Sequence, residues 1–383
     1  MLGSVQTESE VRADYIGLFS PEKPNRRTDA KGPESPPPPA AYTWTMQEPN
    51  SPRLRIGILG TAKIARSFAT GLRPSETVEV IAIASRDAAK AEAFALEFKI
   101  PTAYGSYANL LENPTVEAVY VPLPNALHAE WSIRAIEAGK HVLCEKPLAA
   151  TRAEAQAMFE AARRRSVTLV EGFPYRSQPQ TLKLKALTDS GIIGTLVSMH
   201  AAFGFPLTDP NNIRFDPALA GGALMDVGTY PVSLVRLLAG ERPSRVYTSA
   251  RWHSTGVDET LVASLEHRSG FLAQISCSFM TALHRQALIA GSAGMLQSTY
   301  WNTPPPGVPA IVQLKRGIGA DSPFEDIEVP AVNGFRAEAE SFARAIRLGP
   351  GHWNGATPEE SLDIAATLEA ILESARAGAP VEF

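Results

Sequence analysis

Cysteine is almost missing from this chain: only Cys144 and Cys277 occur in 383 residues. Two cysteines exclude a disulfide framework and a cysteine-rich zinc cluster, and they fit a reducing, cytoplasmic setting. An excess of basic residues is also missing. Lys and Arg number 36 against 40 Asp and Glu, a net charge of -4. That balance gives no support for nucleic acid or an anionic membrane as partner. No apolar run approaches the length of a membrane span. Residues 20–50 are poor in apolar side chains and rich in proline, with Pro21, Pro24, Pro33 and the run Pro36-Pro37-Pro38-Pro39. Such a segment cannot bury enough surface to offset its ordering entropy, so residues 1–50 are expected to be a disordered tail. Arg26-Arg27 is followed by no apolar stretch, which argues against a twin-arginine export signal. Met46, just before the folded part, is an alternative first residue.

What is present begins at Leu54. Short apolar runs at Leu54–Gly60, Val78–Ala84, Ala118–Val121, His141–Cys144 and Thr168–Val170 alternate with helical patterns at Ile64–Leu72, Ala88–Phe98, Ala126–Ala138 and Ala153–Arg164. Strands alternating with helices predict a doubly wound parallel sheet over residues 51–171. From residue 172 to 383 the pattern changes. Thr195–Phe203, Arg245–Trp252, Glu259–Glu266, Phe271–Phe279 and Met295–Trp301 read as longer strands, with few helices between them. Helical patterns fall at Gln180–Asp189, Gly228–Leu238, Phe335–Arg347 and Pro358–Arg376. This half is expected to be α+β with a largely antiparallel sheet. A chain of this length favours two domains over one core.

The first strand runs into Gly60-Thr61-Ala62-Lys63-Ile64-Ala65, a relaxed form of the dinucleotide fingerprint. Gly60 would permit the tight turn, Ala62 replaces the glycine that normally lets backbone approach a pyrophosphate and would lengthen that approach slightly, and Ala65 is small enough for close helix–strand packing. A helix N-terminus there offers free N–H groups and a favourable dipole. The same six residues also serve as a plain structural turn. At the end of the second strand, Ser85 stands where an NAD site usually has an acid, and Arg86 follows. A hydroxyl beside a guanidinium suits a 2′-phosphate, favouring NADP with NAD possible. The alternative is a solvated Arg86 beside an Asp87 that caps the next helix. Asn125 suits a helix cap, and Asn125 and His128 follow another strand end where cofactor contact is plausible on position.

Three further segments carry chemistry: Glu145-Lys146-Pro147 at a strand end, Glu171–Arg176, and Gly221–Tyr230, in which Asp226 and Tyr230 stand four apart. Lysine is costly to bury unless paired or functional. If a helix begins near Asp226, the acid and the phenol share a face, and Lys146 could join them in a cleft. The bland reading is that Asp226 only caps and Tyr230 only packs.

The ordered motifs Gly-Ile-Leu-Gly-Thr-Ala-Lys-Ile-Ala, Pro-Asn-x-x-His, Glu-Lys-Pro and Gly-Gly-x-x-x-Asp-x-Gly-x-Tyr resemble the Gfo/Idh/MocA oxidoreductases over residues 53–383. The resemblance implies an N-terminal Rossmann domain and a C-terminal domain with a large open-faced mixed sheet. It also implies a homodimer or homotetramer formed through that sheet. Tyr230, where another branch has histidine, makes the chain similar to the branch of glucose-fructose oxidoreductase, dihydrodiol dehydrogenase and NADP-linked xylose dehydrogenase. That branch commonly has Phe-Met-Tyr-Arg between the domains; here Pro174 replaces the methionine. Residue reading and resemblance together place cofactor contacts at Gly60, Thr61, Ala62, Ile64, Ser85, Arg86, Leu123, Asn125, His128, Glu145, Lys146 and Arg176, with no metal. The expected substrate is a sugar, polyol or cyclic diol. Tyr230 would exchange the hydroxyl proton as hydride leaves. Its ordinary pKa of about 10 is too high for an efficient base, so Lys146 would lower it. Asp226 would accept a substrate hydroxyl, and Glu145 would orient Lys146 or contact the ribose. A ligand-sensing regulator without catalysis and an NAD-dependent glycosidase are the alternatives. Substrate choice should lie in the loops Phe203–Phe215 and Trp252–Val257.

Overall fold

The computed structural model describes residues 52–383; the expected tail, with Arg26-Arg27 and Met46, lies outside the described residues. Strands of continuous apolar sequence build the first sheet. β1 (Leu54–Leu59), α1 (Lys63–Leu72), β2 (Val78–Ala84), α2 (Ala88–Phe98), β3 (Thr102–Tyr104), α3 (Tyr107–Leu111), β4 (Ala118–Val121), α4 (His128–Glu137), β5 (His141–Glu145), α5 (Arg152–Arg165) and β6 (Leu169–Gly172) follow in order. All strand pairs are parallel, and the order is β3-β2-β1-β4-β5-β6. The order reverses between β1 and β4, and ligands in such sheets bind at that reversal, beyond the carboxyl ends of the strands. β3 and α3 were not anticipated: three and five residues are too short to set up a period.

The remaining chain builds α6 (Pro179–Asp189), β7 (Leu196–Gly204), α7 (Thr229–Ala239), β8 (Arg245–Trp252), β9 (Asp258–Glu266), β10 (Leu272–Ser278), β11 (His284–Gly291), β12 (Gly294–Ser298), β13 (Ala310–Arg316), β14 (Phe324–Val329), α8 (Gly334–Leu348), α9 (Pro358–Ala377) and β15 (Val381–Glu382). The second sheet has the order β14-β13-β12-β11-β7-β10-β9-β8-β15 and is antiparallel except for β7 with β10. In β9, Leu261, Ala263 and Leu265 are buried while Val262, Ser264 and Glu266 are exposed. That alternation leaves one face covered by helices and the other open.

The two sheets do not have wholly separate cores. α8 returns to the parallel sheet, where Phe335, Ala339, Phe342 and Ala343 pack with Ile58, Phe68, Tyr120 and Leu143. The segment 217–239 corrects the expectation that no apolar run reaches membrane-span length. It passes that test on length and composition, yet it is mostly buried within the protein.

Candidate active site

β1 ends at Gly60, which takes φ +108°, and a Cβ there would meet Leu123 Cδ2 at 3.0 Å. Both facts favour glycine. α1 starts three residues later, and its N-cap, Ala62, offers no side chain to the first amides. Those amides are therefore open to an anion, with the helix dipole behind them. Thr61, Ala62 and Ile64 are half-buried around this turn, and Ala65 is buried beneath it. After β2, buried Ser85 accepts the Asp87 N–H at 3.2 Å, and Arg86 is exposed. Asp87 caps α2 by accepting the Lys90 N–H at 3.3 Å. The cap and an exposed Arg86 thus occur together.

The edge beyond β4 and β5 is pinned by side chains expected to touch a cofactor. Asn125 makes no cap; its amide donates to Ala220 O at 2.9 Å, tying this edge to the loop before α7. Buried His128 spans Leu123 O and Pro147 O, each at 2.8 Å. Both ring nitrogens face backbone carbonyls, and the neutral ring donates to one of them, so His128 holds the Glu145-Lys146-Pro147 turn rather than facing a ligand. Burial pushes its imidazole down to about 4. Glu171 adds to the turn by accepting the Leu148 N–H at 2.9 Å. Arg176 is fully buried and forks onto Glu360 at 3.1 Å while donating to Ser233 O at 3.0 Å, so it too is engaged inside the protein. Glu145, expected to orient Lys146 or contact the ribose, lies beside Lys146 with no side-chain hydrogen bond to its amine among the described residues. Its carboxylate accepts the Tyr120 O–H at 2.5 Å and the Lys146 backbone N–H at 3.3 Å, and burial holds it above the usual carboxylate range.

Lys146 and Tyr230 do meet. Residues Leu224–Gly228 form a π-turn that runs into α7, a departure from α-helix common at functional sites. Gly222 precedes it at φ +114°, and a Cβ there would lie 2.3 Å from Asp258 Oδ1. Asp258 in turn accepts the Leu224 N–H at 2.7 Å. The wider turn directs Asp226 and Tyr230 to Lys146 from two sides. Lys146 Nζ donates to Asp226 O at 2.7 Å and Oδ1 at 3.3 Å, and lies 4.9 Å from the Tyr230 ring centroid. Burial works against the Lys146 charge, but Tyr230, Asp226 and Glu145 outweigh it and hold its pKa above the ordinary lysine value.

Asp226 is not a free acceptor. Oδ2 takes Arg214 Nε at 2.6 Å while Oδ1 takes Lys146. Burial pushes its pKa up, but the two cations and their hydrogen bonds prevail and leave it below the usual range. Arg214 is 40% exposed and lies in the loop expected to choose substrate. Phe215 stacks on His253 at 4.2 Å, joining that loop to the Trp252–Val257 loop. Beside Pro174, which stands in place of the methionine, the rings of Phe173 and Tyr175 lie 5.7 and 5.8 Å from that of Tyr230. On the far side, Arg285 Cζ is 4.1 Å from the Tyr230 centroid, and Asn302 Nδ2 donates to the phenol oxygen at 3.0 Å. Lys146 does act to lower the phenol pKa, as expected, but the net direction is upward. Burial raises it, and the charges of Lys146 and Arg285 only partly offset that.

Residues 54–173 match the model of the oxidoreductase family with an NAD-binding Rossmann fold, and residues 181–297 match the Gfo/Idh/MocA C-terminal domain. The chain belongs to the Gfo/Idh/MocA oxidoreductase family. It is 41% identical to D-xylose 1-dehydrogenase (NADP(+)) 2 of Haloferax volcanii, over 86% of this chain and all of that one. It is 35% identical to trans-1,2-dihydrobenzene-1,2-diol dehydrogenase of Danio rerio, over 77% of this chain and 89% of the other. Among solved structures, a 3-ketoreductase from Actinomadura kijaniata in complex with NADP and TDP-benzene superposes with a TM-score of 0.77 at 34% identity, covering 84% of this chain and 98% of that one.

Proposed function

We propose that this enzyme is an NADP-dependent dehydrogenase or reductase acting on a hydroxyl-bearing carbon of a small carbohydrate-like molecule, with free aldoses such as D-xylose the first substrates to try. The observation that carries the reading is the meeting of Lys146, from the end of β5, with Tyr230, from α7, 4.9 Å apart at the carboxyl edge of the parallel sheet.

The residues at that edge fit the cofactor. The Gly60 turn and the uncapped amides of α1 suit a pyrophosphate. Ser85 and exposed Arg86 suit a 2′-phosphate. Bound NADP supplies the hydride acceptor in one direction and the donor in the other. Tyr230 handles the proton. In oxidation the substrate hydroxyl yields its proton to Tyr230 Oη as the C–H hydride departs, leaving a carbonyl two electrons more oxidised. In reduction Tyr230 returns a proton to the carbonyl oxygen. Because burial keeps the phenol protonated at neutral pH, Tyr230 rests as the acid that reduction needs, and oxidation gains as pH rises. Asp226, itself fixed by Arg214, holds Lys146 in place. The presence of both Lys146 and Tyr230 at that edge weighs against a sensor without catalysis.

The test is nicotinamide absorbance with a panel of aldoses, polyols and dihydrodiols, with NADP and with NAD. Tyr230→Phe is expected to keep cofactor binding and lose about 10²–10⁴-fold of turnover. Near-normal turnover by this variant would sink the proton role, and strict dependence on NAD would remove the role of Arg86.

A homodimer or homotetramer through the open face of the second sheet is also proposed. Tyr247, Val262 and Leu272 are exposed there, beside a shallow hollow of about 420 Å³ edged by His200, Gln274, Gln286 and Leu288. Homodimer interfaces are more apolar than the rest of the surface and enriched in aromatic side chains such as tyrosine. Sedimentation as a monomer at micromolar concentration would refute it.

A further inference from the structure

Arg285 is 4% exposed on β11 and has no carboxylate partner among the described residues. An isolated buried charge is costly. Part of that cost is offset by the rings of Tyr230, Phe203, Tyr300 and Tyr175, whose centroids lie 4.1, 4.7, 4.8 and 5.2 Å from its Cζ. Its one side-chain acceptor among the described residues is Asn302 Oδ1, at 3.3 Å from Nη1 and 3.4 Å from Nη2. A guanidinium only donates. Asn302 must therefore turn its oxygen to Arg285 and its NH2 to Tyr230, where the N···O distance is 3.0 Å. An amide is often ambiguous between its two ends; here the arginine removes the ambiguity. Tyr230 Oη accepts from Asn302 and cannot donate to it.

We propose that Arg285 and Asn302 are positioning residues that set the direction of proton transfer at Tyr230. Arg285 orients the Asn302 amide. The amide makes the phenol oxygen an acceptor, which leaves the phenol's own proton for the substrate oxygen and holds the phenolate once that proton has gone. This rests on the reading of Tyr230 as the acid–base group. The charged and titratable groups around Tyr230 are Lys146, Glu145 and Arg285, with Asp226 acting through Lys146, Tyr120 through Glu145, and Tyr175 against the ring.

Asn302→Asp tests it. The near-isosteric carboxylate pairs with Arg285 and accepts from Tyr230, so the phenol proton is drawn away from substrate and bound more tightly. With D-xylose and NADP as the probe pair, the alkaline limb of kcat, here the rise that phenol ionisation gives to oxidation, is expected to move up by about one pH unit or more. Turnover on the acid side of the limb should fall about tenfold or more, with little change in KM. Arg285→Met should move the limb the same way, and Arg285→Lys, which keeps a donating cation, should return it toward the parent profile. A merely structural role would lower kcat without moving the limb. Fluorotyrosine placed at position 230 and titrated by ¹⁹F NMR gives the same comparison without turnover, with the phenol of Asn302→Asp ionising at higher pH. Superimposed profiles, or identical ¹⁹F titrations, overturn the proposal. If Tyr230→Phe stays active, the reading of Tyr230 falls. If Tyr230→Phe is silent and Asn302→Asp keeps the parent profile, only this inference falls.

Discussion

Lys146 and Arg285 both set a positive charge against the ring of Tyr230, with Nζ 4.9 Å and Cζ 4.1 Å from its centroid, yet they are held in opposite ways. On the nucleotide-domain side, Lys146 is fixed by the carboxylate and carbonyl of Asp226, and Asp226 is shared with Arg214. On the sheet side, Arg285 sits among aromatic faces with the neutral amide of Asn302. The first arrangement fixes geometry but compensates much of its own charge. The second leaves its charge uncompensated and accepts the burial penalty, which pulls the Arg285 pKa below the ordinary arginine value. The difference teaches that precision and field strength are supplied by separate residues. Neither cation alone, nor both together, overcomes the burial of the phenol before ligands bind.

On the paired side of Tyr230, the largest effect should come from Lys146→Met. The substitution removes one of the two cations beside Tyr230 and leaves Asp226 with Arg214 alone. Phenolate becomes harder to form, so the alkaline limb of kcat should move to higher pH. Turnover at neutral pH should fall by about 10³-fold, within the range typical for loss of acid–base assistance or of a charge-stabilising donor. Steady-state pH profiles with NADP and an aldose check both parts. A loss of turnover with the limb unmoved would mean that Lys146 positions substrate and does not tune Tyr230.

The paired side was largely legible in the sequence and the unpaired side was not, for physical reasons. Buried parallel strands such as Ala118–Val121 are continuous apolar runs. Their order places Lys146 at a ligand-binding edge without any coordinates. Asp226 and Tyr230 share one short motif, so their convergence follows from local spacing, even though the turn is π and not α. Arg285 and Asn302 carry no such signal. They meet Tyr230 only because β11 pairs with β7 and the loop after β12 folds back. A charge inside β11 also reads as solvent-facing, which hid that strand. β13 and β14 follow a proline-rich stretch, and β14 is a largely exposed, acidic strand at the sheet's edge. The roles expected of His128, Asn125 and Arg176 rested on their places in motifs. Position in a motif does not reveal that a carbonyl or carboxylate already holds the side chain.

A smaller effect, and a sharper one, should follow from Asp226→Asn. The Asp226 backbone carbonyl that accepts Lys146 Nζ at 2.7 Å survives the substitution, and an amide oxygen can replace Oδ1. Lys146 therefore keeps much of its place but loses its counter-charge, and Arg214 loses a charged acceptor. Hydrogen bonds to charged groups contribute about 1.5–3 kcal/mol, so turnover should fall by roughly 10- to 100-fold. The field on Tyr230 becomes more positive, however, because an anion has gone while the cations remain. The phenol should ionise more easily, and the alkaline limb should move toward neutral pH. Lys146→Met and Asp226→Asn would then both slow the enzyme while shifting its pH profile in opposite directions. Loss of packing alone predicts no such opposition of sign. If both variants shift the limb upward, Asp226 does not act on Tyr230 through the charge of Lys146, and the division between a positioned cation and a field-supplying cation fails.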